Sequence, residues 1–254
     1  FYGLAVLCIE CPVIRSMLSS LSRPILTYGF SEDADYQAID FEQTGTNTHF
    51  KVKRPNHSSL SITLNLPGRH NVLNALAAIT VATEEGVPDT AICQALSQFS
   101  GVGRRFQILG ELQLPQGEIV LVDDYGHHPQ EIQATIEAAR LAWPDKRLVM
   151  MFQPHRYTRT HDLFEDFCKV LSQVDVLLML EVYSAGEKPI VGADGRSLCR
   201  AVRARNQVEP IYVDSLEELP SLLPQVLQAN DVMFAQGAGS ISSVAHGLIK
   251  TFSR

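Results

Sequence analysis

The chain has 254 residues, 45% of them hydrophobic and 19% charged, and a formal net charge of −7. Apolar content on this scale builds one large domain or two smaller ones and excludes a disordered polyelectrolyte. An acidic total argues against a duplex-binding face, and no stretch approaches the ~20 apolar residues of a membrane span, so neither nucleic acid nor membrane is expected as a partner.

Phe1–Ile9 reads as a buried strand. It has no initiator methionine and no signal-like segment ahead of it, which raises the expectation that the sequence starts inside a domain. Pro12–Leu21 reads as a helix with proline in its first turn, and Pro24–Gly29 as a second strand. Asp35–Phe41, His49–Lys53 and Leu60–Leu66 read as short, partly alternating strands. Helical patterns run from about Val72 to Glu85 and, entered at Pro88-Asp89, from Asp89 to Phe99. The five cysteines are Cys8, Cys11, Cys93, Cys168 and Cys199. Their odd number and scatter do not suit a disulfide framework, and the CxxC of Cys8 and Cys11 has no second pair at zinc-site spacing. Buried or incidental thiols in a reduced cytoplasm are the expectation.

The glycines of Ser100–Arg105 suggest a connection, dividing residues 1–102 from 103–254. Beyond it the rhythm is regular. Glu118–Asp124, Arg147–Gln153, Val174–Val182, Pro210–Val213 and Asp231–Gln236 read as strands. Pro129–Trp143, Thr160–Leu171 and a segment near Arg196–Arg205 read as helices, with more after the last two strands. This alternation predicts an α/β fold with a mostly parallel sheet and helices on both faces.

Ligands of open α/β sheets sit beyond the carboxyl ends of the strands. There the sequence places Asp123-Asp124-Tyr125-Gly126-His127-His128-Pro129, Gln153-Pro154-His155-Arg156-Tyr157-Thr158-Arg159, Glu181-Val182-Tyr183 and Gln236-Gly237-Ala238-Gly239-Ser240. Asp124 either accepts from ribose hydroxyls or caps the helix at Pro129. His127 and His128 either meet an anion and handle a proton or are turn residues. Arg156 and Arg159 share a face if a helix begins there, and two guanidinium forks can grip one carboxylate or phosphate. A solvated basic helix start is the alternative, although it opposes the helix dipole. Gly237 and Gly239 either admit an anion to backbone amides or let strand and helix pack closely. Asn71 and Asn74, three apart after Pro67-Gly68-Arg69-His70, can present amides to a purine edge, or Asn71 can cap a helix. No Gly-x4-Gly-Lys-Ser/Thr phosphate loop occurs in these 254 residues.

Taken together, Gly68-Arg69-His70-Asn71-Val72-Leu73-Asn74-Ala75, Gly103-Arg104-Arg105-Phe106, Asp123–Pro129 and Gln153–Thr160 resemble the Mur ligase family. The last two segments resemble its alanine-adding branch. The resemblance implies the latter half of a central α/β ATPase domain (residues 1–102) followed by a Rossmann-like C-terminal domain (residues 103–254). It implies ATP, L-alanine and UDP-N-acetylmuramate as substrates, with Mg2+ in the complete enzyme and no metal ligands in this chain. It places Asn74 at adenine, His70 and Asn71 at the same helix entry, Arg105 at the nucleotide phosphates and Asp124 at ribose. It places Arg156 and Arg159 on the alanine carboxylate, with Tyr125 and His127 lining that pocket. The UDP-binding domain and phosphate loop have no counterpart here, so no turnover is expected of the chain alone. A sibling ligase that attaches a preformed peptide in wall recycling, or a non-catalytic nucleotide-binding remnant, are the competing readings.

Overall fold

Strict alternation builds the first sheet. β4 (Asn47–Arg54) buries Thr48, Phe50, Val52 and Arg54, and β5 (His57–Leu64) buries Leu60, Ile62 and Leu64 on the same face. In this computed structural model, which describes residues 3–252, these strands complete the sheet β1-β2-β3-β4-β5, with β1 (Ala5–Cys8), β2 (Ile25–Gly29) and β3 (Tyr36–Thr44). β1, β2 and β3 are parallel, whereas β4 and β5 return as antiparallel hairpins. Helix α1 (Pro12–Met17) follows β1. Helices α2 (Arg69–Glu84) and α3 (Asp89–Gln98) supply the other half of the core, with Val72, Ala75, Leu76, Ile79 and Ile92.

Arg54 ends the inward row of β4 as a charge among apolar neighbours. Its guanidinium grips Asp89, the first residue of α3, through two bonds of 2.8 Å, and also donates to Ser58 O. Asp89 also complements the dipole of the helix it opens. One ion pair thus ties a strand end to a helix start.

The chain divides into two units, Phe1–Gly101 and Val102–Arg254. The second is a six-stranded sheet in the order β10-β9-β8-β11-β7-β6. Its strands are β6 (Gln107–Leu114), β7 (Gly117–Asp124), β8 (Leu148–Phe152), β9 (Val176–Met179), β10 (Ile211–Tyr212) and β11 (Val232–Gln236). All neighbours are parallel except β6 and β7. β8 and β11 are buried throughout, as central strands covered on both faces must be. Met150, Phe152 and Phe234 face a core completed by α4 (Pro129–Ala142), α6 (Phe164–Leu171) and α7 (Gly195–Ala204). Val149, Met151 and Met233 face the core completed by α8 (Leu219–Val226) and α9 (Ile241–Phe252). Among the described residues no helix is long and apolar enough to cross a membrane.

The α/β architecture agrees with the sequence; several boundaries do not. The first strand is Ala5–Cys8, and residues 1 and 2 of the expected Phe1–Ile9 lie outside the described residues. β6 was not expected: it is an edge strand whose apolar residues Ile108, Leu109, Leu112 and Leu114 do not alternate regularly, because a bulge at Gly110 (φ 141°) interrupts the period. The helix expected over Thr160–Leu171 is two, α5 (Tyr157–Asp162) and α6, broken at Leu163. Helix α2 starts at Arg69 with Gly68 as its N-cap, so Asn71 lies inside the helix and is not its cap.

Candidate functional site

β7, β8 and β11 end in register, with Gln236 opposite both Asp124 and Phe152. The segments after these strands therefore meet along one rim of the second unit. Asp124 is buried there as a hub. Its Oδ1 accepts from Gly126 N at 2.8 Å and Gln236 Nε2 at 2.6 Å, and its Oδ2 from Phe106 N at 2.9 Å. The carboxylate thus organises the loop after its own strand. The helix at Pro129 is capped instead by His128, in a reciprocal box with Glu131.

Arg105 sits at the top of a strained arch. Arg104 (φ 61°) and Phe106 (φ 47°) on either side adopt the left-handed region that side chains disfavour. Both are fastened to the unit. Arg104 O accepts from Tyr125 N at 2.7 Å, and its side chain donates to Gly237 O and stands 3.8 Å from buried Asp123. The Phe106 ring packs against Trp143 and Phe234. Arg105 is left half-exposed, 3.1 Å from Glu131 and over the ring of Tyr125. Burial opposes ionisation of Glu131, but hydrogen bonds from His127 N, Arg105 and His128 N outweigh it and hold its carboxyl below the usual range.

A row of rings lines the rim. Tyr125 meets His127 at 5.2 Å between centroids, His127 meets His155 at 5.7 Å, and His155 stacks on Tyr183 at 5.6 Å. The last pair extends the parallel pairing of β8 and β9 beyond the strands, through an isolated bridge and the bonds Tyr183 N to Pro154 O and Arg156 N to Tyr183 O. Arg156, at φ 71°, is the N-cap of α5 and points an exposed guanidinium toward Glu187, 4.0 Å away. Arg159 lies one turn on and donates to His155 O and His155 Nδ1 at 3.1 and 3.2 Å. An arginine is always a donor, so this contact makes Nδ1 the acceptor and puts the ring proton on Nε2. Burial, then His127, Arg159 and Arg156, hold His155 below the ordinary imidazole range, with Glu187 pulling weakly the other way.

The glycines after β11 admit neighbours. A Cβ on Gly237 would stand 2.6 Å from Gln153 O, and one on Gly239 would stand 2.8 Å from the Tyr183 ring. The first amide of α9, Ile241 N, is taken by Gln153 Oε1 at 3.0 Å. Close packing therefore accounts for these glycines without an anion.

In the first unit, α2 carries Asn71 and Asn74 one turn apart. Asn71 Nδ2 holds Pro67 O at 2.8 Å, and its Oδ1 accepts from Asn74 Nδ2 at 3.4 Å. Asn74 is exposed on the first turns of the helix, which also carry His70. The helix entry itself is braced by Arg69, whose guanidinium lies 3.6 Å above the ring of Phe30.

A family model described as the Mur ligase glutamate ligase domain matches residues 104–239, and one described as the Mur ligase middle domain matches residues 1–82. The chain belongs to the Mur ligase family. Among similar solved structures, the UDP-N-acetylmuramate-alanine ligase MurC of Thermotoga maritima is 27% identical with a TM-score of 0.73, over 89% of this chain and 47% of its own. The murein peptide ligase mpl of Psychrobacter arcticus is 20% identical with a TM-score of 0.66, over 98% and 51%. The MurF ligase of Thermotoga maritima, solved with ADP, is 18% identical with a TM-score of 0.67, over 98% and 54%. The Mur ligase chain thus spans about half the length of these enzymes.

The rim contains residues of this Mur ligase that the sequence did not single out as ligand-facing: His155, Tyr183, Glu131 and Glu187. Glu187 lacked a signal because its partners, Thr158 and Arg156, come from another loop; Glu131 had one, since it stands three residues after the cap His128 and accepts from the N–H groups of His127 and His128. His155 had one, since it lies within the Gln153–Arg159 cluster between candidates on either side. Among the described residues no three His, Cys, Asp or Glu side chains gather as a metal site.

Proposed function

We propose that this chain is part of an ATP-dependent ligase that joins L-alanine to the carboxylate of UDP-N-acetylmuramate. A carboxylate is a poor electrophile; transfer of a phosphoryl group from ATP makes an acyl phosphate, which the alanine amine attacks with loss of phosphate. The protein's task is to position the partners and match their charge. In this reading Arg159 and Arg156 hold the alanine carboxylate, and Tyr125 and His127 wall the pocket. Asn74, with His70 and Asn71 at the same helix entry, meets adenine, and Arg105 meets the nucleotide phosphates. Asp124 is proposed to reach ribose from the loop it organises, by exchanging one of its internal donors for a hydroxyl. Positioning of the β- and γ-phosphates is assigned to no residue of this chain.

The observation that carries the reading is Arg159: a half-buried guanidinium, oriented by His155, at the carboxyl end of the sheet. The likeness to an alanine ligase over 89% of the chain supports it. The test is ADP release by the complete ligase carrying this sequence, with free L-alanine or a preformed peptide as acceptor. Release is expected with alanine. Arg159→Ala is expected to raise the alanine KM by tens- to hundreds-fold, as losing a charged hydrogen-bond partner costs about 2–3 kcal/mol, and to move the ATP KM far less. Turnover with the peptide alone, or an alanine KM unmoved by the substitution, overturns the reading.

A further inference from the structure

Each arginine at this rim has a carboxylate except one. Arg104 stands by Asp123 at 3.8 Å, Arg105 by Glu131 at 3.1 Å and Arg156 by Glu187 at 4.0 Å. Among the described residues no carboxylate lies within ion-pair reach of Arg159, whose partners are the ring nitrogen and the carbonyl of His155. The site therefore shows a ligand one unmatched positive charge.

Glu187 is held in place to do this. It lies in a tight turn in which Ala185 (φ 49°) and Gly186 (φ 86°) are both left-handed, and Glu187 N closes the turn onto Ser184 O. Its carboxylate then caps α5, accepting from Thr158 N at 3.0 Å and Thr158 Oγ1 at 2.8 Å. Those bonds fix the charge beside Arg156, and they hold the Glu187 carboxyl below its usual range.

We infer that Glu187 is a specificity-determining residue, which matches Arg156 in advance so that the site accepts amino acids with one carboxylate and rejects those with a second on the side chain. The inference rests on the proposed amino-acid site and adds the reason for its selectivity. The α-carboxylate takes Arg159 and shares Arg156. A second carboxylate, as in L-aspartate, meets an arginine already neutralised and a fixed like charge next to it. Such repulsion discriminates between ligands that an arginine pair alone would both attract.

The experiment compares L-alanine as substrate with L-aspartate as competitive inhibitor of the complete ligase, in the wild type, Glu187→Gln and Glu187→Asp. Glutamine removes the charge and keeps an oxygen for the Thr158 N–H, while the Thr158 hydroxyl, which can also accept, turns to the amide NH2. The ratio of aspartate Ki to alanine KM is expected to fall about tenfold in Glu187→Gln, the scale of one unit charge a few ångströms away that water largely screens. Glu187→Asp should keep the wild-type ratio, and matching thermal melts would show that the fold is intact. If the ratio stays constant in Glu187→Gln, or if Glu187→Asp lowers it as much, the inference is overturned while the alanine site stands. If Arg159→Ala leaves the alanine KM unchanged, the site itself falls, and the inference with it.

Discussion

His155 can accept from Arg159 only while its Nδ1 carries no proton. A proton there would set two donors face to face and turn the arginine away. Alanine KM is therefore expected to rise as pH falls, with its break below the ordinary imidazole value of about 6.5, because burial and three nearby cationic or ionisable groups disfavour the charged ring. His155→Asn keeps an acceptor but cannot titrate, so it should flatten this acid limb. A limb that persists in His155→Asn would assign it elsewhere. The same group bears on stability. The unfolded chain takes the proton first, so between the ordinary value and the lower folded one the native state loses stability as pH falls. The cysteines behave oppositely to a reactive site: burial pushes the Cys168 and Cys199 thiols up to about 11, which leaves them inert near neutrality.

At the scale of elements, the Arg54–Asp89 clasp is the clearest stability device in the first unit. The Arg54 side chain is fully buried, whereas that of Asp89 is 44% exposed. Arg54→Met removes the clasp and its bonds to Ser58 O but leaves Asp89 hydrated. The loss is expected near 1–3 kcal/mol, below the cost of stranding a fully buried charge. Urea unfolding followed by circular dichroism reads it directly, and an unchanged midpoint would show the clasp to be neutral. Elements of this kind also show what a sequence carries. β8 and β11 were legible because a strand covered on both faces must be apolar throughout, and the polar clusters after them follow from where such runs stop. β6 was not, because an edge strand needs no apolar face toward solvent and its bulge breaks the period of two. Arg156 and Arg159 were visible as a pair three apart. Their distinction was not, because Glu187 stands near Arg156 only where two separate loops meet beyond the sheet, and the four-residue spacing of His155 and Arg159 does not by itself say which way the arginine turns. Asp124 stood out as a candidate, but its role as a hub did not, because Phe106 and Gln236 reach it from segments distant in the sequence.

The whole molecule joins a unit with one core to a unit with a core on each face of its sheet. Apolar burial on both faces gives the second unit the larger reserve against unfolding. Limited proteolysis should cut in the Ser100–Gly103 connection and leave a resistant fragment beginning near Arg104. Survival of the 1–101 fragment in its place would reverse this ranking of the two units.

The arch around Arg105 has a mechanical consequence. Its left-handed pillars, Arg104 and Phe106, are tied to Tyr125, Gly237 and the aromatic core. The connection therefore stiffens over a single turn, closed by Arg105 N on Val102 O at 3.1 Å, beyond which the backbone moves as one piece with the second unit. Arg105 is then carried as a passenger of that unit and takes no part in whatever bending the connection allows. Amide relaxation along the connection should show this as a step between Gly101 and Val102, with no gradual slope.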